Sequence, residues 1–411
     1  MSFSSRAKGF NIVSNWLVVS YLVGFLFIGT VPKVFGLTEG SFTYEFRLFL
    51  FFISFYFVSK IFFDLSKSSE KNQLFRLFIL FWIIYGYRII HDLYINPIQL
   101  YENIRSTQYF QFSFGVCFIP CLAVYSIQKK YGLDYEYILS LFYRVLVFSM
   151  LIAVYYRLTL EITGRTTGDI NIGVISFGNY GATLCLLSIF YILTKRLSLF
   201  EKIFYGAGSL LGFSGIVLSG SKSPFLGLIT VLVLYIYLWY DLKKSFFYFL
   251  LLGVISYTYI FEVIDFTSFY LQSNFAERLF YMIESGQDEV RETLLKASFH
   301  EFLQSPILGN AFLIQNSQFE GSYPHNSIVE SLMATGAIGG GVFILLIWKV
   351  FTKAIKLIKN RSSLSWISFV FLQYLIFSFF SSNLYSNQLF WILLVLVSGI
   401  NTNSHRTIID S

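Results

Sequence analysis

The sequence predicts an all-α membrane protein of about twelve transmembrane helices, and three observations point to this fold. Of the 411 residues, 55% are hydrophobic and only 13% are charged, whereas soluble domains carry about a quarter charged residues. Uncharged apolar stretches of about 20 residues, long enough to cross a hydrocarbon core, recur along nearly the whole chain. Positive charges fall in alternate connections between these stretches. We therefore expect one transmembrane domain over residues 1–411.

The predicted spans follow these apolar stretches. In the first half of the chain they cover residues 10–30, 46–63, 74–93, 109–127, 137–156 and 172–194. In the second half they cover residues 200–218, 224–240, 245–264, 327–348, 364–380 and 389–400. The first span follows Arg6 and Lys8 and lacks a small-residue cleavage signature, which favours a retained span over a removed signal peptide.

The distribution of Lys and Arg predicts the orientation. Most of these residues lie in one set of connections, which includes Lys129, Lys130 and the lysine-rich run 349–361. The positive-inside rule places this side in the cytoplasm, together with both termini. The one long connection, residues 265–326, then lies on the extracytoplasmic face as an insertion between the ninth and tenth spans.

The long connection is expected to contain an amphipathic helix. Ser285 and Asp288 form a plausible N-terminal cap, and Ser305-Pro306 ends the pattern. The apolar residues that recur at helical spacing between these limits are Val290, Leu294, Leu295, Phe299, Phe302 and Leu303. Such a helix would lie on or between the membrane spans.

His325 is the first candidate for a catalytic residue. It lies in the sequence Tyr-Pro-His-Asn-Ser, residues 323–327, where the long connection re-enters the membrane. A neutral imidazole can take a proton from a hydroxyl group near neutral pH, because its unperturbed pKa is about 6.5. A helix-capping or interfacial histidine would fit the same position, and the residues alone leave both interpretations open. The adjacent Asn326 is a secondary candidate.

Three cations on the outer side are candidates for binding an anionic substrate. Arg291 lies on the predicted loop helix, where a guanidinium can bind a phosphate through two parallel hydrogen bonds. Lys222 lies in the short turn Ser-Gly-Ser-Lys-Ser-Pro, residues 219–224, whose small residues allow backbone amides to approach an anion. Arg278 is a secondary candidate on the long connection. Solvated or snorkelling side chains are the alternative interpretation for all three.

Further cations lie near the same face. Arg157 and Arg165 flank Glu161, so they either add positive charge to a cavity or pair with neighbouring carboxylates. Arg88 ends the third span and is a secondary site candidate, because charges inside a membrane usually face a cavity or a partner. Lys296 and His300, on the predicted loop helix, are interpreted as surface residues.

The sequence predicts neither a metal nor a cofactor. The three cysteines, Cys117, Cys121 and Cys185, fall inside apolar stretches and are interpreted as small buried residues. The four histidines are scattered, and no metal-binding spacing, phosphate loop or dinucleotide fingerprint is present in the sequence. No nucleic-acid partner is expected either.

Three stretches resemble a known family. Residues 291–312, RETLLKASFHEFLQSPILGNAF, combine an arginine, an amphipathic helix and a Pro-x-x-Gly turn. Residues 324–339, PHNSIVESLMATGAIG, combine a Pro-His-Asn re-entry with a Gly-x-x-Gly in the following span. Residues 218–227, LSGSKSPFLG, resemble a turn that normally reads Ser-Gly-Ser-Arg, with Lys222 in place of the arginine. In order and spacing, these stretches are similar to the O-antigen ligase and O-antigen polymerase superfamily.

The resemblance implies a glycosyltransferase of the bacterial inner membrane that uses polyprenyl-diphosphate-linked oligosaccharides. It implies an inverting, metal-independent transfer on the extracytoplasmic face. Arg291 and Lys222, supported by Arg157 and Arg165, would bind the diphosphate, and His325 would orient or deprotonate the acceptor hydroxyl. A chain-length regulator and a flippase of the same pathway are the protein partners that the resemblance implies.

Three functions stay open at the level of sequence. A polymerase adds the glycan to another lipid-linked repeat unit, whereas a ligase transfers it to the core sugar of lipopolysaccharide. We favour the polymerase, because the weakly patterned first half and the lysine at position 222 fit the more divergent branch of the superfamily. A flippase or other transporter would need polar groups near mid-membrane in several spans, whereas here the outer end is the polar one.

Overall fold

The structure, a computed structural model, describes residues 3–37, 41–65, 72–101, 104–159, 172–239, 289–316 and 318–401, with some residues between 262 and 280. Within these ranges the chain is all-helical. The first helices are α1 (Phe3–Val34), α2 (Ser41–Leu65), α3 (Gln73–Ile90), α4 (Ser106–Phe110), α5 (Ile119–Lys130), α6 (Tyr135–Thr159) and α7 (Val174–Thr194). They are followed by α8 (Leu199–Ser219), α9 (Lys222–Trp239), α10 (Glu289–Gln304), α11 (Ser327–Lys359), α12 (Ser365–Phe380) and α13 (Gln388–Gly399).

Two helical stretches contain π-helical turns. The turn His91–Ile95 extends α3, and Gln111–Phe118 joins α4 to α5, so that Ser106–Lys130 forms one continuous element. Sequence periodicity did not predict these turns. Because a π-helical turn inserts one residue into the helical repeat, it rotates the side chains that follow it, and such turns are frequent at functional sites.

Nine helices of the described chain are long and apolar enough to cross a membrane, and α12 and α13 are shorter apolar helices. Each predicted span coincides with one of these elements except the ninth, residues 245–264, which lies almost entirely outside the described residues. The predicted class, an all-α polytopic membrane protein, is therefore confirmed, whereas the number twelve stays a prediction.

The centre of the bundle is built on α13, which contacts α3, α5, α11 and α12. Residues Phe390–Ser398 of this helix are all buried. Trp391 packs its ring 5.1 Å from that of Trp82 and 5.7 Å from that of Phe81, both on α3. Helix association in lipid depends on close packing of this kind, because burial from water gives no driving force there.

The Pro-x-x-Gly turn after α10 packs against the first part of α11, so two of the three stretches that resemble the family are in contact. Helix α11 is interrupted at Gly336, where φ is 62° and ψ is −165°. The turn that contains Pro306 and Gly309 fits against this break, where Ala337 donates its N–H to the Pro306 carbonyl at 2.8 Å. Asn310 donates its N–H to the Met333 carbonyl at 2.9 Å. The interruption at membrane depth is therefore covered by protein, as the bilayer requires.

Helix α10 confirms the predicted loop helix, including its end before Ser305-Pro306, whereas Ser285 and Asp288 lie outside the described residues. Its buried face differs from the predicted apolar stripe. Leu294, Ser298 and Glu301 are buried, and Phe299 and Leu303 of the stripe are more than half exposed. The reason is that Glu301 accepts hydrogen bonds from the Gln315 and Asn316 amides, at 3.0 and 2.6 Å, which turns the polar face of α10 towards the protein.

Candidate functional site

The connection between α12 and α13, residues 381–387, is a polar segment at the end of two apolar helices. Its side chains line a cavity of about 570 Å³. The other walls come from the first turns of α2, α7 and α13, from α1, α12 and the π-helical stretch Gln111–Phe118, and from the segment that precedes α11. The polar side chains of the wall are Thr43, Arg47, Ser176, Asn179, Tyr180, Tyr323, Tyr374, Ser381, Ser382, Asn383, Ser386, Asn387 and Gln388. This composition suits a hydroxyl-rich ligand such as a glycan.

A buried carboxylate holds this connection in place. Glu330, on the first turn of α11, is fully buried and accepts the Leu384 N–H at 3.1 and 2.9 Å through its two oxygens. It also accepts the hydroxyl of Tyr85 on α3 at 2.7 Å. Within the connection, Asn383 Oδ1 accepts the N–H and the hydroxyl of Ser386 at 2.8 and 2.7 Å. The backbone of the cavity wall is therefore fixed from two sides.

Arg291 lies on α10 and reaches this wall. Its Nη2 donates to Ser381 Oγ at 3.2 Å, and Ser381 lines the cavity. The guanidinium is thus partly buried, with a hydroxyl group of the cavity wall as one of its partners. A planar cation in this position can donate hydrogen bonds to a phosphate that enters the cavity.

His325 adjoins the same cavity through Tyr323, whose ring centroid lies 4.3 Å from that of His325. The backbone of His325 has a φ of 56°, a conformation that costs a residue other than glycine about 1 kcal/mol. Asn326 caps α11, because its Oδ1 accepts the Ile328 and Val329 amides at 3.0 and 3.1 Å. Its Nδ2 donates to the Phe379 carbonyl at 3.1 Å, which ties the His325 turn to the end of α12.

Two phenols of this site remain protonated at neutral pH: Tyr323 on the cavity wall and Tyr385, whose ring centroid lies 6.1 Å from that of Tyr323. Burial raises the pKa of Tyr323, with a smaller opposing effect from its hydrogen bond to Asn383. Burial also raises the pKa of Tyr385 well above its ordinary value, and neighbouring tyrosines add to the effect. Protonated phenols can donate hydrogen bonds to sugar or phosphate oxygens.

Lys222 and Arg278 lie at the turn between α8 and α9. Arg278 Nη1 donates to the Gly220 carbonyl at 2.6 Å, and Gly220 has the positive φ of 59° that a helix C-terminus often requires. Within the turn, the Ser221 N–H donates to Ser219 Oγ at 3.2 Å. The described contacts bring Arg278 to the turn of Lys222, but neither side chain lines the cavity beside residues 381–387.

Arg88 binds the backbone of the Pro-x-x-Gly turn. Its Nη2 donates to the Gly309 carbonyl at 2.8 Å and its Nη1 to the Asn310 carbonyl at 2.9 Å. Asp92, which pairs with Arg88 at 3.2 Å, also accepts the Phe312 N–H at 3.0 Å. These contacts position the turn that covers the break in α11.

Of the last two predicted cations, the structure describes only Arg157. Arg157, near the end of α6, is 1% exposed, and Arg165 lies outside the described residues. On α10, Lys296 and His300 are exposed, as predicted. Within the described ranges, no three His, Cys, Asp or Glu side chains gather in a way that could hold a metal ion.

Sequence reasoning missed three parts of the site: Arg47, Glu330 and the connection 381–387. Each carried a signal of a general kind. Arg47 and Glu330 are charged residues inside predicted apolar spans, and such residues usually face a cavity or a partner. The connection reads Ser-Ser-Asn-Leu-Tyr-Ser-Asn, an unusually polar link between two of the most apolar stretches of the chain.

Comparison with known families adds one finding. A family model described as O-antigen ligase matches residues 207–344. The matched segment runs from α8 into α11 and includes Lys222, Arg278, Arg291, His325 and Asn326. The predicted resemblance to the O-antigen ligase and polymerase superfamily is thus confirmed, and members of this family are membrane glycosyltransferase-like enzymes. No curated protein matches the chain.

Proposed function

We propose that the protein is an O-antigen or surface-polysaccharide polymerase of the bacterial inner membrane. In this proposal it joins oligosaccharide repeat units carried on polyprenyl diphosphate, on the extracytoplasmic face. The observation that carries it is the contact of Arg291 and of the His325 turn with residues that line one polar cavity, within the segment that matches the ligase family.

The proposed reaction is a single inverting displacement. The oxygen of an acceptor hydroxyl forms a bond to the anomeric carbon of the donor glycan, while the bond from that carbon to the diphosphate oxygen breaks. The hydroxyl proton passes to His325, and polyprenyl diphosphate leaves with the bonding electron pair. Arg291 stabilises the charge that develops on the leaving diphosphate. In this proposal Lys222, Arg157 and Arg165 contribute further positive charge near the diphosphate, as the family resemblance implies.

The proposal also assigns the surroundings of the site. Both termini lie in the cytoplasm, and residues 265–326 form an extracytoplasmic insertion in a single transmembrane domain of residues 1–411. The insertion shelters the reaction from bulk water, which would otherwise compete as the acceptor. A flippase and a chain-length regulator of the same pathway would supply the donor and limit the product length.

The test uses the purified full-length protein in proteoliposomes with a polyprenyl-diphosphate-linked repeat unit, and measures product length by mass spectrometry. His325→Ala and Arg291→Ala should each lower the transfer rate by about two orders of magnitude or more, because each removes a group that acts in the transition state. His300→Ala and Lys296→Ala, two exposed positions on α10, should leave the rate unchanged.

Wild-type chain growth by either site variant, at normal abundance and with an unchanged unfolding midpoint, would refute the catalytic assignment. A purified protein that moves the labelled lipid-linked sugar across the vesicle membrane but never joins two units would instead support a flippase or another transporter.

The second candidate is an O-antigen ligase, favoured by the description of the matching family. The two functions differ only in the acceptor, so a deletion strain separates them. A single repeat unit attached to core, with long chains absent, indicates a polymerase. Sugar-free core, with polymer retained on the lipid carrier, indicates a ligase.

A further inference from the structure

A second cavity, of about 870 Å³, lies between α2 and the element Ser106–Lys130. Its lining is mostly apolar and aromatic, with Leu48, Phe51, Phe114, Phe118 and Ile119 among its residues. Two arginines, Arg47 and Arg105, also line it, and both lie near the beginning of the helices that form the walls. The cavity is therefore cationic where these helices begin and apolar farther along them.

Arg47 also lines the first cavity, beside residues 381–387. Phe112 and Val116 also line both cavities. Arg47, Phe112 and Val116 therefore form the wall between the two cavities. The guanidinium carbon lies 5.3 Å from the ring centroid of Phe25 and 4.9 Å from that of Phe112. The two aromatic rings hold the cation at the junction between the first cavity, whose wall carries many polar side chains, and the more apolar second cavity.

The electrostatics of this junction favour an anion. Within the described chain, Arg47 Nε is buried and has no hydrogen-bond partner. No Asp or Glu side chain is among the residues that line either cavity. A guanidinium in such surroundings has lost hydration without gaining a carboxylate, and an anion that binds there would restore both hydrogen bonds and charge balance.

We infer that the apolar cavity holds the prenyl chain of a polyprenyl-diphosphate-linked glycan donor, with Arg47 joining Arg291 in binding the diphosphate and with the glycan in the cavity beside residues 381–387. This inference rests on the proposed function. The donor consists of an apolar chain, an anionic link and a polar glycan in that order, and the two cavities with Arg47 between them present matching surfaces in the same order. Arg105 supplies a second cation to the anionic link.

The test measures binding rather than transfer. Undecaprenyl diphosphate without a glycan is titrated into the purified full-length protein, and the bound fraction is followed by native mass spectrometry. Arg47→Met should weaken binding about tenfold or more, which corresponds to the loss of one charge-assisted hydrogen bond. Arg47→Lys, which keeps the charge but loses the planar fork, should weaken binding less than Arg47→Met. Arg76→Met, at an exposed arginine on the first turn of α3 that lines neither cavity, is the matched control.

A second variant tests the apolar cavity independently. A Cβ at Gly115 would make ordinary contact with Phe51 at 3.5 Å, so the backbone accepts a side chain here. Because Gly115 and Phe51 both line the cavity, a larger side chain would take up part of its space. Gly115→Leu should weaken the binding of undecaprenyl diphosphate about tenfold, because the prenyl chain loses its space. The same variant should bind geranyl diphosphate, which has a much shorter chain, as the wild type does.

Four results would overturn the inference. Wild-type affinity for undecaprenyl diphosphate in a stably folded Arg47→Met would remove the diphosphate from the junction, and wild-type affinity in Gly115→Leu would remove the prenyl chain from the cavity. Should Arg47→Met fail to fold, the affinity of Gly115→Leu for undecaprenyl diphosphate tests the inference.

Phosphatidylglycerol that binds the wild type as well as undecaprenyl diphosphate does, and loses affinity equally in Arg47→Met, would identify a general anionic-lipid site. A wild-type protein that binds no polyprenyl diphosphate at all would count against the proposed function itself.

Discussion

His325 and Arg291 illustrate how single residues are positioned at the candidate site. The positive φ of His325 is maintained because the residues on both sides are fixed, with Pro324 buried and Asn326 bound to α11 and α12. Arg291 is carried by a helix whose own polar face is buried through Glu301. Both side chains are therefore directed by contacts of their neighbours, which is the arrangement that a preorganised site requires.

Glu330 is the residue whose removal should most disturb the cavity wall. Glu330→Ala would leave the buried Leu384 N–H and the Tyr85 hydroxyl without an acceptor. Each such loss costs about 1–3 kcal/mol, so we expect a loss of about 3 kcal/mol in the free energy of unfolding. Glu330→Gln keeps one acceptor oxygen and should lose about 1 kcal/mol. The midpoint of thermal unfolding in detergent measures both changes.

The exposed Glu320 provides the control for this experiment, and Glu320→Ala should leave the midpoint unchanged. If Glu330→Ala unfolds at the wild-type temperature, the carboxylate does not hold the connection 381–387, and the proposed rigidity of the cavity wall is wrong.

The sequence predicted part of the site, for reasons that concern particular residues. His325, Arg291 and Lys222 lie in motifs whose order along the chain is recognisable without coordinates. Arg47 lies in no such motif, and its role depends on two cavities that form only when α2 packs against α5. Arg88 was a candidate because it is a charged residue in a predicted span. Its hydrogen bonds to the carbonyls of residues 309 and 310 also depend on the tertiary fold, so the sequence did not predict them.

Among the elements, α10 and α11 form the unit that supports the site. The Pro-x-x-Gly turn after α10 fits into the break of α11, in the first third of that helix. Because Arg291 lies on α10, this backbone contact helps to set its orientation. Sequence periodicity predicted the apolar helices because lipid imposes a minimum length on each. It did not predict the break at Gly336, since the hydrophobic pattern of α11 continues through it to Lys359.

Gly336→Ala tests this unit. The φ of 62° with a ψ of −165° is a conformation that only glycine adopts readily, and a Cβ would overlap the carbonyl of Ile307. We expect a loss of about 2–3 kcal/mol in the free energy of unfolding, together with a lower transfer rate. Gly341→Ala on the same helix, where a Cβ meets nothing within 4 Å, should be neutral in both measurements. Equal behaviour of the two variants would show that the fit of the turn into the break is not required.

At the scale of the whole molecule, the helices separate two chemically different ends. The two cavities, the connection 381–387 and the beginning of α11 lie together at one end. The lysine-rich end of α11 lies at the other, where Lys353 donates to the Ser398 carbonyl at the end of α13 at 2.9 Å. From the positive-inside rule we propose that the lysine-rich end faces the cytoplasm and that the cavities face outward.

This orientation predicts a specific labelling pattern. Gln318 and Asn360 are exposed and lie near opposite ends of α11, whereas the three native cysteines are buried and should give little background. In intact spheroplasts, an impermeant maleimide should label Gln318→Cys within minutes and should label Asn360→Cys only after the membrane is permeabilised. The reverse pattern would place the cavities in the cytoplasm. A polyprenyl-diphosphate donor would then have to react before it is moved across the membrane, and the extracytoplasmic polymerase proposed here would be excluded.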